Sequence, residues 1–534
     1  MVSFDIFKAF DKTSIEFICK VLEKMKFPRK FISYIKTMHT DISTQFIVGG
    51  NLTKFLLLLI SLRQGDPAAM PLYLINTEPL LNYIGKKVKG LTMSFCTQKE
   101  EGYVDDVSTI GTDTNDLLIL DEAFKKFEAM SGTVLNRSHK SKIMGLGTWE
   151  GRDIWPLPWL QTEEKLTVFG VDFMPNTKST ISASWAKCVI SFRRCLMSWS
   201  SRNLVTLNSR VKALSTFAFS KLWYLAQILP IPKAIVEQLE QLIRRFLWLG
   251  RLEHLPFQEL FTPVLEGGLG LPNIQAKCDA LFLKQTCRIL AEPTLSKTHL
   301  TYWVGLQLRA ELPELALAPN AEIVPPYFKK AGNLLKEGIK TGLVTPGNMG
   351  KVKSKILYAE FNSTPPPPRV IGRYPDLPWD TIYSRLDSPI ISPDSRDLLF
   401  IIINNVYPNK QRLHRLNQHP TGHCLTCIGI TEDNVHLFLN CPDVNPTWIY
   451  LRSLISDIQP GYNLTPNEAF LNLSYDKRDR WQMTLFLIST YLNFIHKCRR
   501  GEENVSLQGF RGHLRHSYLK YKTGKHPEIG NLVF

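Results

Sequence analysis

Apolar and polar residues alternate at the start of the chain. Val2, Phe4 and Ile6 interleave with Ser3 and Asp5, the two-residue period of a half-buried strand, with Asp5 on its other face. The period then lengthens. Ile15, Ile18, Cys19, Leu22 and Met25 recur at helical spacing behind Thr13-Ser14-Ile15-Glu16, which predicts a capping box with Thr13 as N-cap. Pro28 should stop that helix and open the next, over residues 31–38. Thr44, Phe46 and Val48 alternate into Gly49-Gly50-Asn51, a hairpin signal leading into residues 55–60. Residues 70–88 predict a helix despite Pro71 and Pro79, and residues 117–130 an amphipathic helix ended by Ser131-Gly132. Between those two helices, Gly102-Tyr103 and Val107-Ser108-Thr109-Ile110 flank Asp105-Asp106, a hairpin carrying two carboxylates at its turn. The expected product is an α+β fold with its acidic residues on one sheet face.

Beyond Met174 the pattern is helical. Residues 185–199, 208–229 and 234–248 carry apolar positions at helical spacing, interleaved with Arg193, Arg194, Arg210, Lys212, Arg244 and Arg245. Prolines crowd residues 311–378 and culminate in Pro365-Pro366-Pro367-Pro368, which predicts a stiff linker. Ser392-Pro393 should cap a helix running to Val406. Residues 497–534 hold eight Lys/Arg against three Glu, so a basic and largely unstructured end is expected.

Composition adds one constraint. A formal charge of +16 over 534 residues favours an anionic partner, and nucleic acid suits a chain with ordinary apolar content. Ten cysteines are too few for a disulfide scaffold, and Cys19 and Cys278 sit in helical patterns as small apolar residues. A reducing, intracellular compartment is therefore expected. The most apolar run, residues 55–62, is far too short to span a bilayer, so no membrane partner is expected.

Two groups carry candidate chemistry. Adjacent Asp105 and Asp106 repel each other, and a bound dication with a preference for oxygen ligands, such as Mg²⁺, removes that penalty. Further on, Cys424-x₂-Cys427-x₈-His436-x₄-Cys441 supplies three thiolates and an imidazole, a tetrahedral set for structural Zn²⁺. His423 competes with His436 for the fourth position.

Three segments in order carry a family resemblance. Phe4-Asp5-Ile6-Phe7-Lys8-Ala9-Phe10-Asp11, Arg63-Gln64-Gly65-Asp66-Pro67 and Tyr103-Val104-Asp105-Asp106 resemble the first three palm motifs of LINE-type (non-LTR) retrotransposon reverse transcriptases. Ser220-Lys221-Leu222-Trp223-Tyr224, Phe246-Leu247-Trp248-Leu249-Gly250 and Gly267-Gly268-Leu269-Gly270-Leu271 look like segments downstream of such palms, and the Cys-Cys-His-Cys element is similar to their knuckles.

The resemblance implies an RNA-directed DNA polymerase that copies an RNA template onto a DNA primer or target from deoxynucleoside triphosphates. Asp5, Asp105 and Asp106 would hold Mg²⁺ or Mn²⁺, and Phe10 would close the space needed by a ribose 2′-hydroxyl. Arg63, Gln64, Gly65 and Tyr103 would lie along the nucleotide and template. Ser131-Gly132, Leu135-Asn136 and Lys140-Ser141 look like the fourth motif, whose lysine, Lys140 or alternatively Lys142, would protonate pyrophosphate. Val168-Phe169-Gly170-Val171 resembles the strand that grips the primer. The chain departs from the pattern at Ala68-Ala69-Met70-Pro71, where the family has Ser-Pro.

The implied domains are a palm (1–175), a thumb and helical region (176–310), the proline-rich linker (311–380), a helical region with the zinc knuckle (381–475) and a basic tail (476–534). Only four residues precede Asp5, too few for the family's fingers and endonuclease, so a truncated and impaired polymerase is expected. The alternative is a non-catalytic nucleic-acid binder using the thumb, knuckle and tail.

Overall fold

The computed structural model describes the chain except residues 59–60, 64, 138–139, 153–154, 203, 205, 250–254, 318–319, 363–367, 472–480, 502–504 and 523–534; of Leu58, Tyr103, Gln161 and Leu317 it describes the backbone alone. The described chain is a mixed α+β structure that separates into two compact units. The first gathers Met1–Lys187, Leu225–Pro232 and Leu281–Leu357; the second gathers Cys188–Tyr224, Lys233–Ala280 and Tyr358–Phe534.

In the first unit the opening alternation becomes the strand Val2–Phe4, followed by the short strand Ile6–Phe7. Val2, Phe4 and Ile6 are buried, as a period of two requires. Val2–Phe4 is the central strand of five, in the order Gln161–Thr162, Lys142–Ile143, Val2–Phe4, Asp106–Thr109, Glu100–Tyr103. It pairs antiparallel on both sides, Phe4 opposite Val107 and Val2 opposite Ile143; only the outer pair, Lys142 to Gln161, is parallel.

The helices Ile15–Lys24, Ala69–Lys87 and Thr114–Ser131 bury Ile18, Leu22, Leu72, Leu80, Ile84, Leu120 and Phe124 in one core with Val2, Phe4, Val107 and Ile143. The rings of Phe4 and Phe124 lie 4.6 Å apart, and each such buried side chain contributes about 1.5–3 kcal/mol. That packing carries Ala69–Lys87 through Pro79, whose missing N–H would end an exposed helix. Gly132 ends the third helix at φ +73°, where a Cβ would lie 3.0 Å from the Lys12 carbonyl.

The N-cap of the first helix differs from expectation by one residue. Ser14 Oγ accepts the Phe17 N–H at 3.3 Å, whereas the buried Thr13 hydroxyl donates to the Ala9 carbonyl at 2.7 Å. Thr13 is fully buried, so its hydroxyl must find an internal partner and is not free to cap. The Gly-Gly turn forms as read: Ile47–Val48 pairs with Asn51–Leu52, and Ile42–Thr44 pairs with Leu56–Leu58 behind it.

Leu166–Val168 and Val171–Phe173 form a hairpin whose turn residues, Phe169 and Gly170, both have positive φ. Its second strand buries Asp172, which accepts hydrogen bonds from the Thr167 hydroxyl at 2.6 Å and Lys187 Nζ at 2.9 Å, with Lys165 Nζ 3.6 Å away. Burial alone would raise its pKa; the hydroxyl and the two ammonium groups outweigh burial and hold it below the usual value. Such a group stabilises the fold above the unfolded carboxyl pKa of about 3.9 and loses that contribution as pH falls through the folded value. Asp172→Asn is expected to cost roughly 3 kcal/mol at pH 7. Urea unfolding should show the deficit shrinking to nothing in strong acid.

Residues 311–380, expected as a linker, are instead substantially helical. Pro326–Lys340 and Ser354–Phe361 bury Leu334, Leu335 and Leu357. Pro326 occupies the first turn of its helix, where the missing N–H costs nothing, so dense prolines here mark helix starts. Most of the four-proline run lies outside the described residues.

In the second unit Ser392 caps Pro393–Ile403, its Oγ accepting the Ser395 N–H at 3.2 Å. Trp481–Arg499 is buried along most of its length. The tail departs from expectation as far as residue 522, because Leu507–Lys522 forms a helix. Phe510, Leu514 and Tyr518 recur every four residues on it and are buried, Phe510 against Tyr491 and Phe494 with ring centroids 5.4 and 5.5 Å away. Among the described residues no helix is long and apolar enough to cross a membrane.

Candidate active site and metal centre

The strand register brings the first and third acidic motifs together. Because Phe4 faces Val107, Asp5 leaves its strand next to the residue that begins the neighbouring one, Asp106. Asp106 pairs with Tyr103 across a two-residue turn made of Val104 and Asp105. Val104 takes φ +59°, a left-handed conformation that costs a β-branched residue about 1–2 kcal/mol. Strain of this kind concentrates at functional sites. Burial, then the negative charges of Asp105 and Asp5, push the Asp106 pKa up, so the three carboxylates feel one another.

Residues 136–141 hold Asp5 from the other side. Asn136 Nδ2 donates to Asp5 Oδ2 at 3.0 Å, and the Asp5 N–H donates to Ser141 Oγ at 3.3 Å. Lys140 Nζ stands 3.9 Å from the same Asp5 oxygen, whereas Lys142 Nζ is 2.8 Å from Glu163. Lys140 and Asp5 are both substantially exposed, so this ion pair contributes little to stability. Asn136 lies in the short polar turn directly after the buried Leu135, and nothing in that local pattern assigns it to Asp5.

Phe10 is half-buried, its ring 4.8 Å from that of Tyr73. No sequence motif points to Tyr73. Its hydroxyl is buried without a hydrogen-bond partner, and burial followed by the charge of Asp105 raises its pKa. Arg63 donates to the Met38 carbonyl at 3.3 Å and lies 3.8 Å from Asp66. Gly65 is exposed at φ +88° with open space where a Cβ would stand, and Gln64 lies outside the described residues. Asp11, the second acid of the first motif, is exposed in the turn before the first helix.

The Cys-Cys-His-Cys residues form a second centre. The donor atoms of Cys424, Cys427, His436 and Cys441 all lie within 4.8 Å of one another, a set that can hold a zinc ion. Cys424 and Cys427 lie on a tight loop closed by Cys424 N–H to Ile430 O at 2.8 Å. His436 opens a wide helical turn, His436–Asn440, and Cys441 follows, its N–H donating to the His436 carbonyl at 2.8 Å.

His436 Nε2 is buried without a hydrogen-bond partner, which suits a nitrogen reserved for a metal. Burial would raise the Cys424 thiol, but the Cys427 N–H, the His436 ring and the Thr426 N–H bring it down to about 7. Burial pushes Cys441 up to about 12. His423 is exposed outside the cluster, which leaves His436 as the imidazole donor. Among the described residues this is the one group of three or more His, Cys, Asp or Glu side chains that gathers around a single point.

No protein-family model matches the chain. It is 24% identical over 306 residues to the uncharacterized 149 kDa protein of transposon TX1 from Xenopus laevis, an alignment that covers 55% of this chain and 23% of that protein's length.

Proposed function

We propose that the chain derives from a LINE-type retrotransposon and carries the palm of an RNA-directed DNA polymerase. One observation carries the reading: Phe4 pairs with Val107, so acidic residues a hundred positions apart in sequence meet at one end of adjacent strands. The similarity to a transposon protein supports the retrotransposon origin.

In this reading Asp5 and Asp105 are the principal ligands of Mg²⁺ or Mn²⁺, and Asp106 supports them. The ions supply activation of a primer 3′-hydroxyl and charge neutralisation at the leaving pyrophosphate. The chain itself orients and moves protons. Asn136 and the Ser141 hydroxyl fix Asp5 against its strand. Phe10, braced by Tyr73, narrows the floor where a sugar would sit. By the resemblance, Arg63, Gln64, Gly65 and Tyr103 would lie along the nucleotide and template. Lys140 delivers a proton to pyrophosphate. The Cys3His element is a zinc-held structural unit.

A second reading, a non-catalytic nucleic-acid binder, rests on the formal charge of +16 and the Cys3His set and needs no carboxylate chemistry.

Primer extension separates the two. The polymerase reading expects Mg²⁺- or Mn²⁺-dependent addition of deoxynucleotides to a DNA primer on an RNA template, lost in Asp105→Ala. Nucleic-acid binding without extension by the wild-type chain would favour the binder. Within the polymerase reading, Lys140→Ala should slow single-nucleotide addition about 10²-fold or more, the usual worth of a general acid. Lys142→Ala, whose ammonium is engaged with Glu163, should leave that rate within about twofold of wild type.

A further inference from the structure

A thiol and an imidazole meet in the first unit, outside both candidate centres. Leu91–Thr92 and Thr97–Gln98 form a hairpin, Leu91 opposite Gln98, and its turn is closed by the Met93 N–H donating to the Cys96 carbonyl at 2.7 Å. The helix Leu295–Val304 lies against that turn. Phe95 stacks on Tyr302 with ring centroids 4.1 Å apart and meets the His299 ring edge-on at 5.1 Å. These contacts hold the imidazole against the turn. His299 Nε2 lies 3.3 Å from Cys96 Sγ, a hydrogen bond between residues 203 positions apart.

The pair is neutral at rest. Burial pushes the Cys96 thiol up and the His299 imidazolium down, and the Glu101 carboxylate opposes the second shift without cancelling it. Both directions favour a thiol beside a free imidazole over a thiolate beside an imidazolium. The thiol then donates to Nε2, and the imidazole carries its own proton on Nδ1. Reactivity here does not come from a standing thiolate: the base removes the proton as the sulfur attacks. Cys19, Cys278 and Cys287 are buried and closed to a reagent, whereas Cys96 is half-exposed.

Space for a small molecule adjoins the base. A cavity of about 220 Å³ is lined by His299, Gln98, Glu101, Ser296, Leu300 and Phe328. Its mixed wall suits a molecule with one polar and one apolar end. The Glu101 carboxylate in that wall disfavours an anion, so the matching reagent is neutral.

We propose that Cys96 is an oxidisable thiol with His299 as its base, and that its reagent is a neutral hydroperoxide. The sulfur attacks the terminal peroxide oxygen. An S–O bond forms as the O–O bond breaks; sulfur is oxidised to a sulfenic acid, and the peroxide is reduced to its alcohol, or to water in the case of hydrogen peroxide. His299 Nε2 takes the thiol proton and returns it to the departing alkoxide or hydroxide. The proposal needs neither the polymerase nor the nucleic-acid reading and stands or falls apart from them.

The test uses the full-length, zinc-loaded chain, hydrogen peroxide, and dimedone, which traps sulfenic acids, with peptide mass spectrometry reading each cysteine. Cys96 should be trapped about tenfold faster than Cys195, which is also half-exposed. Its rate should change less than about twofold between about pH 7 and pH 8, because over that range the imidazole is already free and the thiol still protonated. A thiol reacting as its own thiolate gains about tenfold over the same range. His299→Gln should slow Cys96 roughly 10²-fold, the usual worth of a general base, and restore the rise with pH.

Oxidation of Cys96 no faster than that of Cys195 would overturn the proposal. So would a steep rise of the Cys96 rate between those pH values in the unaltered chain, or an unchanged rate in His299→Gln with its circular dichroism matched to wild type. The pH profile of the unaltered chain decides even where the variant does not fold.

Discussion

Removing the metal from the Cys3His centre, by chelation or by Cys441→Ser, is expected to produce the largest stability loss of any small change in this chain. The three thiols and the imidazole converge within 4.8 Å, and Cys427, His436 and Cys441 are buried. Structural zinc sites contribute apparent free energies of roughly 10–16 kcal/mol at neutral pH, so even partial loss exceeds the effect of deleting a core methyl group.

The loss should spread beyond the four ligands. Phe438, between His436 and Cys441, is fully buried against Tyr407 and Phe470, and its carbonyl accepts the Tyr491 hydroxyl at 2.5 Å. Calorimetry should show the transition of the second unit falling by roughly 10 °C or more, while the first unit's transition stays in position. Acid should mimic chelation, because protons compete for the thiolates. His423→Ala should leave zinc content at one ion per chain, since that ring lies outside the cluster.

Asp105→Ala is expected to have the largest effect on activity. In the proposed site Asp105 holds metal from a two-residue turn strained at Val104. Removing a principal ligand should lower the extension rate at least 10³-fold, about 4 kcal/mol of transition-state stabilisation. Asp5→Asn should match it, and Asp106→Asn should fall short of it. Stability should barely change in any of the three, because like-charged neighbours are being neutralised. Single-turnover kinetics with each variant at saturating Mg²⁺ measures the ranking directly.

How much of this was legible in the sequence depends on how local the cause was. The hairpin around Asp105 and the strand before Asp5 could be read because a period of two and a polar turn are written into neighbouring residues. The Cys3His set could be read for the same reason, since all four ligands fall within one short stretch. The cap moved from Thr13 to Ser14 because burial of Thr13 depends on residues far away in sequence. The prolines of residues 311–380 suggest a linker, yet Pro326 opens a helix held by the burial of Leu334 and Leu335, which no local pattern shows. The tail misled through its charge. Lys and Arg dominate its composition, but Phe510, Leu514 and Tyr518 share one face, and that face fixes the helix.

Contacts between distant segments were not legible at all. No local pattern joins Asn136 to Asp5, Glu432 to Arg499, or Cys96 to His299. These pairings exist because the fold assembles them.

The central claim is that Asp5 and Asp105 share divalent metal. Replacing Mg²⁺ with Fe²⁺ and adding ascorbate and peroxide generates hydroxyl radicals at the bound ion, which cut the nearest backbone. The account predicts two clusters of cuts, one around residues 4–6 and one around residues 104–106, both suppressed by excess Mg²⁺ and by Asp105→Ala. Cuts at only one of the two segments, or a pattern indifferent to Mg²⁺, would contradict it.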